Sequence, residues 1–165
     1  GKRWTDLALY NAKLYVLEPT TGQIVRFNKA GNDFDGGTNW IKAKTADLTD
    51  SVSLAIDATV FVLKRSGQVI RFVGGSEVAW NQAPVDPPVS AASDIATTVD
   101  SSYVYVLEPT ARRLIVYRKD TGDLVTQYRS DTLDSLTDFL VDEPNKTILF
   151  LSGSRLYSIS ASHLK

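Results

Sequence analysis

The sequence predicts an all-β fold: a β-propeller segment of four antiparallel blades, repeating about every 44 residues, with the last blade lacking its outer strand. Three observations predict it. The apolar tetrads Leu14-Tyr15-Val16-Leu17, Val60-Phe61-Val62-Leu63, Val104-Tyr105-Val106-Leu107 and Ile148-Leu149-Phe150-Leu151 stand 46, 44 and 44 residues apart. Ahead of each lies a hydroxyl–aspartate pair, Thr5-Asp6, Thr49-Asp50, Ser93-Asp94 and Thr137-Asp138, whose aspartates are spaced at a constant 44 residues. Within each cassette the hydrophobic period is two, and hairpin-length turns separate the apolar runs, which implies antiparallel neighbours.

The first blade, 3–46, reads as Leu7 to Tyr10, a turn at Asn11-Ala12, Lys13 to Glu18, a turn through Pro19-Thr20-Thr21-Gly22, and Gln23 to Asn28. The second, 47–91, alternates Val52, Leu54 and Ile56 with small residues, turns at Asp57-Ala58, and continues Thr59 to Lys64 and Gln68 to Val73. The third, 92–135, has Ile95 to Val99, Tyr103 to Glu108 and Leu114 to Arg118; the fourth, 136–165, has Phe139 to Val141, Thr147 to Leu151 and Arg155 to Ser160. Proline and glycine fall in the turns, where a missing N–H or a positive φ is tolerated. Fainter outer strands are expected at Thr38 to Lys44, Glu77 to Asn81 and Asp123 to Arg129, and Gln82 to Ser93, with Pro84, Pro87 and Pro88, reads as a surface connection.

Composition excludes several function classes. A net charge of −1 gives no broad footprint for nucleic acid or an anionic membrane, and no apolar run has the length of a membrane span. Without cysteine there is neither a disulfide framework nor thiolate chemistry. His163 is the single histidine, so a catalytic triad or a histidine-based metal site has no material, and no phosphate-cradling glycine motif occurs. No cofactor is expected. The chain opens Gly1-Lys2-Arg3 without methionine and is read as a fragment of a longer protein.

The cassette of an aspartate before the inner strand, then Tyr-Val-Leu, then Gly22-Gln23-Ile24 with Phe27, resembles the NHL and YWTD-type propellers of six to eight blades. In particular, Val104 to Pro109, Lys119-Asp120-Thr121-Gly122, Gln127-Tyr128 and Leu151 to Tyr157 resemble the C-terminal propeller of bacterial membrane proteins that also carry a metal-dependent protein phosphatase domain. That resemblance implies the extracellular portion of such a protein. It covers almost the whole chain, and its motifs are short, so it speaks for the fold and not for an activity.

Four aspartates, Asp6, Asp50, Asp94 and Asp138, are expected at one mouth of the channel. There they either ring a cation or cap their turns by accepting backbone N–H bonds; recurrence in every repeat favours the structural role. Asp57, Asp100 and Asp142, with Asn11 in the matching place, read as turn residues. The turns between second and third strands differ from copy to copy and are the expected ligand-binding face. They present Glu18, then Arg65, then Glu108, Arg112 and Arg113, then Arg155, a set rich in the guanidinium groups that suit carboxylate or phosphate recognition. Trp40 and Trp80 are expected to pack between sheets, with carbohydrate stacking as the alternative. Asn32 to Gly37 superficially resembles a calcium loop but lacks its ligand spacing, and Asn145-Lys146-Thr147 is a chance-length sequon.

The expected function is therefore non-enzymatic: a propeller scaffold or sensor binding a protein, peptide or small ligand through its loop face. The alternative is a calcium-dependent hydrolase of the lactonase type, since some six-bladed lactonases resemble this fold. Single-stranded nucleic-acid binding, known among NHL-type propellers, is disfavoured by the acidic balance. Two chains completing an eight-bladed ring, or Lys2 to Thr5 supplying the missing strand of the fourth blade, would cover its open edge and the end faces; the expectation is a homo-oligomer, with a compact four-bladed closure as the alternative.

Overall fold

The computed structural model describes residues 3–43 and 46–165, which form four antiparallel sheets arranged as propeller blades. Blade 1 holds β1 (Asp6–Tyr10), β2 (Lys13–Glu18), β3 (Gln23–Ala30) and β4 (Asp33–Asn39). Blade 2 holds β5 (Ser51–Ile56), β6 (Thr59–Lys64), β7 (Val69–Val73) and β8 (Ser76–Val78). Blade 3 holds β9 (Asp94–Ala96), β10 (Tyr103–Glu108), β11 (Arg113–Arg118) and β12 (Leu124–Arg129). Blade 4 stops at three strands, β13 (Leu136–Asp142), β14 (Thr147–Ser152) and β15 (Arg155–Ser160). Every sheet follows chain order from inner to outer strand, so each blade is a meander.

The second strands carry KLYVLE, TVFVLK and YVYVLE in blades 1 to 3, apolar on both faces. A strand sandwiched between two neighbouring blades has no solvent face, which is why these runs are continuous instead of alternating. Three core clusters result, and each is a joint between successive blades. Tyr15, Leu17 and Ile24 of blade 1 meet Leu54, Val62 and Phe72 of blade 2. Ala55, Phe61 and Leu63 then meet Ile95, Val104 and Tyr117 of blade 3. Tyr105, Leu107 and Leu114 meet Ile148 and Phe150 of blade 4. Among the described residues no cluster joins blade 4 back to blade 1.

Both interior tryptophans sit in these joints, not on an exposed ligand platform. Trp40 lies edge-on between Tyr15 of blade 1 and Phe72 of blade 2, with ring centroids 5.8 and 6.3 Å away. Trp80 repeats the arrangement between Phe61 and Tyr117, at 5.7 Å from each, and its indole N–H donates to the Lys119 carbonyl at 2.9 Å. Just past each tryptophan the backbone clasps the next blade: Lys42 N–H donates to Gly75 O and Ala83 N–H to Gly122 O, both at 2.9 Å. The two glycines are required there. Each has positive φ, and a Cβ on Gly75 would lie 2.3 Å from Trp40 O, one on Gly122 2.7 Å from Asn81 O.

The outer strands depart from the sequence expectation. In blade 1 the strand is Asp33–Asn39, not Thr38 to Lys44, because Gly37 lets the Phe27 ring lie over the backbone and a bulge between Arg26 and Asn28 restores pairing. Thus the calcium-loop lookalike at Asn32 to Gly37 is largely strand. Lys44, and Lys2 of the expected strand donor, lie outside the described residues. Blade 2 ends its outer strand at Val78 instead of Asn81, as the chain turns inward to deliver Trp80. No helix of the described residues is long and apolar enough to cross a membrane.

Candidate functional site

The inner strands converge at one mouth, and their register corrects the sequence reading. Asp6 pairs with Leu17, Asp94 with Leu107 and Asp138 with Leu151; in blade 2 the residue paired with the equivalent Leu63 is Ser53, not Asp50. The β5–β6 hairpin is tighter than those of blades 3 and 4, so Leu63 follows Ser53 by 10 positions where Leu107 follows Asp94 and Leu151 follows Asp138 by 13. Asp50 is left in the preceding turn at φ 62°, outside the ring. The signal was present: Ser53-Leu54-Ala55-Ile56 matches Asp6-Leu7-Ala8-Leu9 better than Asp50 does.

Each ring carboxylate caps its own strand. Leu7, Ile95 and Phe139 N–H groups each donate to Oδ1 of the preceding aspartate at 2.8 Å. Asp6 Oδ2 also accepts from Ser53 Oγ and from Leu54 N–H, both at 2.8 Å, stitching blade 1 to blade 2. Ser53 Oγ stands 2.9 Å from Asp94 Oδ1 as well. Burial pushes the Asp94 carboxyl above its ordinary value, and the neighbouring Asp6 and Asp138 charges push the same way. Among the described residues no three histidine, cysteine or acidic side chains are placed to share a cation.

In blades 2 to 4 the last residue of the second strand ties down the segment that enters its own blade. Glu108 accepts from Ser90 N–H at 2.8 Å and Ala91 N–H at 3.2 Å, Lys64 Nζ bonds Asp47 at 3.1 Å, and Ser152 Oγ accepts from Ser135 N–H at 3.1 Å. Glu108 and Arg113 form a fork at 2.6 and 2.7 Å, each 1% exposed, and Arg113 reaches on to Pro87 O and Gln127. Burial alone would raise the Glu108 carboxyl; the N–H bonds from Ser90 and Ala91 and the Arg113 guanidinium outweigh it and hold the group low. Glu108 and Arg113 therefore lie beneath the expected ligand face, pinning the proline-rich 82–93 connection. Glu18, also buried, accepts from Thr21 Oγ1 at 2.9 Å while its Oε1 has no partner among the described residues, for Gln23 stands where blade 3 has Arg113.

Three expected residues do face solvent at the turns, in separate places. Arg65 and Asp50 come together in a cleft of about 580 Å³ between blades 1 and 2, lined also by Arg3, Trp4, Thr20 and Thr49. Arg112 reaches the Asp131 carbonyl at 3.2 Å, and Arg155 lines a shallower hollow with Thr132, Asp134 and Tyr157. Only the first is a cleft with two guanidinium groups and an aromatic wall.

The network that sequence reasoning missed surrounds His163. Its Nε2 is 3.0 Å from Tyr105 Oη, its Nδ1 is 2.7 Å from Tyr128 Oη, and Tyr105 Oη is 2.9 Å from Glu143 Oε1. Glu143 also accepts from Ser101 Oγ. One proton pattern satisfies the chain: neutral His163 donates from Nε2 to Tyr105, Tyr105 donates to Glu143, and Tyr128 donates to Nδ1. Burial lowers the His163 pKa, opposed by the Glu143 charge, and burial raises that of Tyr105. The partners lie 58 and 35 residues from His163, with no spacing to mark them.

No protein-family model and no curated protein matches the sequence. Solved structures match over nearly the whole chain. A chain of the nidogen–laminin complex superposes with a TM-score of 0.70 at 16% identity, covering 98% of this chain and 62% of that one. Hydrazine synthase of Kuenenia stuttgartiensis gives 0.68 at 12%, covering 97% and 47%, and the RRP9 WD40 repeats give 0.62 at 10%, covering 96% and 51%. The chain thus spans roughly half to two thirds of the length of these propeller chains, and the likeness is one of fold: four blades of a β-propeller.

Proposed function

We propose that this chain is a non-enzymatic propeller module of NHL-like type that binds a protein or peptide partner on its turn face, at the cleft between blades 1 and 2. The observation that carries the reading is the convergence of Arg65, Arg3, Trp4 and Thr20 around one 580 Å³ opening. Guanidinium groups recognise carboxylates bidentately, and an adjacent indole supplies apolar area, so the fitting ligand is an acidic, partly apolar peptide segment. A similar fold in the nidogen–laminin complex accords with a protein partner. The ring aspartates serve the blades as caps and stitches, which leaves the turn face as the place for recognition.

The test is an NMR titration with short peptides carrying a glutamate beside an aromatic residue. Shifts should cluster at Arg65, Trp4 and Thr20 and disappear in Arg65→Glu. Shifts scattered over the surface, or unchanged by that substitution, would sink the reading.

A further inference from the structure

The cleft between blades 1 and 2 holds charges of both signs that do not pair with each other. Asp50 and Arg65 line it together, and their backbones are tied, since Arg65 N–H donates to Asp50 O at 2.9 Å. Their side chains nevertheless form no ion pair among the described residues, whereas Arg113 meets Glu108 and Lys119 meets Asp57 at 2.6 Å. The other three repeat aspartates, Asp6, Asp94 and Asp138, each hold the N–H of the following residue. Asp50 has no such duty, because Ser53 occupies its place in the inner ring. A carboxylate excused from the repeat stands at the cleft instead.

The turn that presents it is closed by Ser51 N–H donating to Leu48 O at 3.0 Å, with Asp50 at φ 62°. Glycine or asparagine is favoured at such a position. Ser51, the next residue, also lines the cleft; it is 2% exposed, and its Oγ has no hydrogen-bond partner among the described residues. A buried hydroxyl left unpaired costs about 1–3 kcal/mol. The cleft therefore carries three unused polar functions: a carboxylate, a guanidinium and a buried hydroxyl.

A ligand that settles in the cleft expels water from both charges, and a charge desolvated without a partner is costly. A purely acidic ligand satisfies Arg65 but brings a like charge to Asp50, and a purely basic one does the reverse. We infer that the cleft takes a zwitterionic peptide element, with an ammonium set on Asp50 beside a carboxylate set on Arg65. The ammonium comes from a free amino terminus or from a lysine next to the acidic residue. It has three N–H donors, so Ser51 Oγ accepts one while Asp50 takes another. Arg3 adds a second guanidinium, which keeps the cleft positive on balance and the ligand acidic on balance. This inference rests on the peptide reading of the cleft given above and specifies which peptides fit.

Three short peptides test it, titrated by NMR against the full chain at about pH 6.5, where the α-amino group is an ammonium. One begins Glu-Phe with a free amino terminus, the second is its N-acetyl form, and the third is N-acetylated with a lysine placed before the glutamate. At least one ammonium-bearing peptide should bind about fivefold or more tighter than the N-acetyl Glu-Phe peptide. Which of the two gains tells the amino terminus from the lysine. The gain should vanish in Asp50→Asn, which binds the N-acetyl Glu-Phe peptide no worse than wild type. Asparagine tolerates φ 62°, so that variant should keep the wild-type circular dichroism. A gain that survives Asp50→Asn overturns the inference. Equal binding of all three peptides, still abolished by Arg65→Glu, overturns it too and leaves the peptide reading standing. Binding by none of the three overturns both.

Discussion

Ser53 Oγ lies 2.8 Å from Asp6 Oδ2 and stands in blade 2 where Asp6 stands in blade 1, so a hydroxyl replaces a carboxylate at one position of the inner ring. That exchange has a physical reason. Asp6, Asp94 and Asp138 already converge at this mouth, and a fourth carboxylate between Asp6 and Asp94 would add like-charge repulsion. A hydroxyl carries one proton, so Ser53 donates to Asp6 or to Asp94 at any moment and not to both.

Asp6 and Asp94 should therefore respond oppositely to amidation. Asp6 uses both oxygens as acceptors, from Leu7 N–H on one and from Ser53 and Leu54 on the other, so Asp6→Asn places an NH₂ against a donor. It should cost about 1–3 kcal/mol in urea denaturation at pH 7. Asp94 uses Oδ1 alone, so Asp94→Asn keeps the acceptor, removes a half-buried charge and should be neutral or stabilising. Because the folded carboxyl is raised above 3.8, its stabilising contribution is full below that pH and is lost as pH rises through the folded value. Asp94→Asn should abolish this decline.

The Glu108–Arg113 pair predicts a steep mutational penalty in one blade and a shallow one in another. Arg113→Met leaves Glu108 buried without its cation and should cost about 3–5 kcal/mol by thermal or chemical unfolding. Glu18→Gln, in the blade with no matching arginine and an already unpaired oxygen, should change stability by less than about 1 kcal/mol. Since Glu108 is held below its ordinary 4.5, its contribution is present above that pH and lost as pH falls through the folded value. Arg113→Met should flatten the acid side of the stability curve. Equal penalties at the two sites would refute the assignment.

His163 anchors the segment after the last strand to blade 3. Its folded pKa lies below 6.5, so it favours the neutral form, and its contribution is complete above 6.5 and fades as pH falls through the folded value. Wild type should lose stability as pH falls below 6.5 and through the folded value, whereas His163→Phe, which fills the space without titrating, should not. Tyr105→Phe removes the link to Glu143 and should cost about 1–2 kcal/mol at any pH in that range. Melting temperatures across pH read both effects directly.

Sequence alone determined the blades. The recurring apolar tetrads, the period of two and the placement of glycine and proline are local properties, and each blade forms from contiguous chain, so its strands were legible in order. Even the packing of Trp40 and Trp80 between sheets followed from their large apolar area. Tertiary structure decided what the polar residues do. Constant spacing named Asp50, but the short β5–β6 hairpin put Ser53 in its place, because hydrogen-bond register is counted along the ladder from the turn and not by the spacing between repeats. Glu108 and Arg113 read as surface turn residues until the 82–93 connection folded over them and converted an exposed pair into a desolvated one. His163 had no visible partner, since Tyr105 and Tyr128 approach it only when blade 3 and the chain end are packed together. Strand identity is fixed by neighbours in sequence; the environment of a charge is fixed by neighbours in space, which the chain brings together only when the blades are stacked.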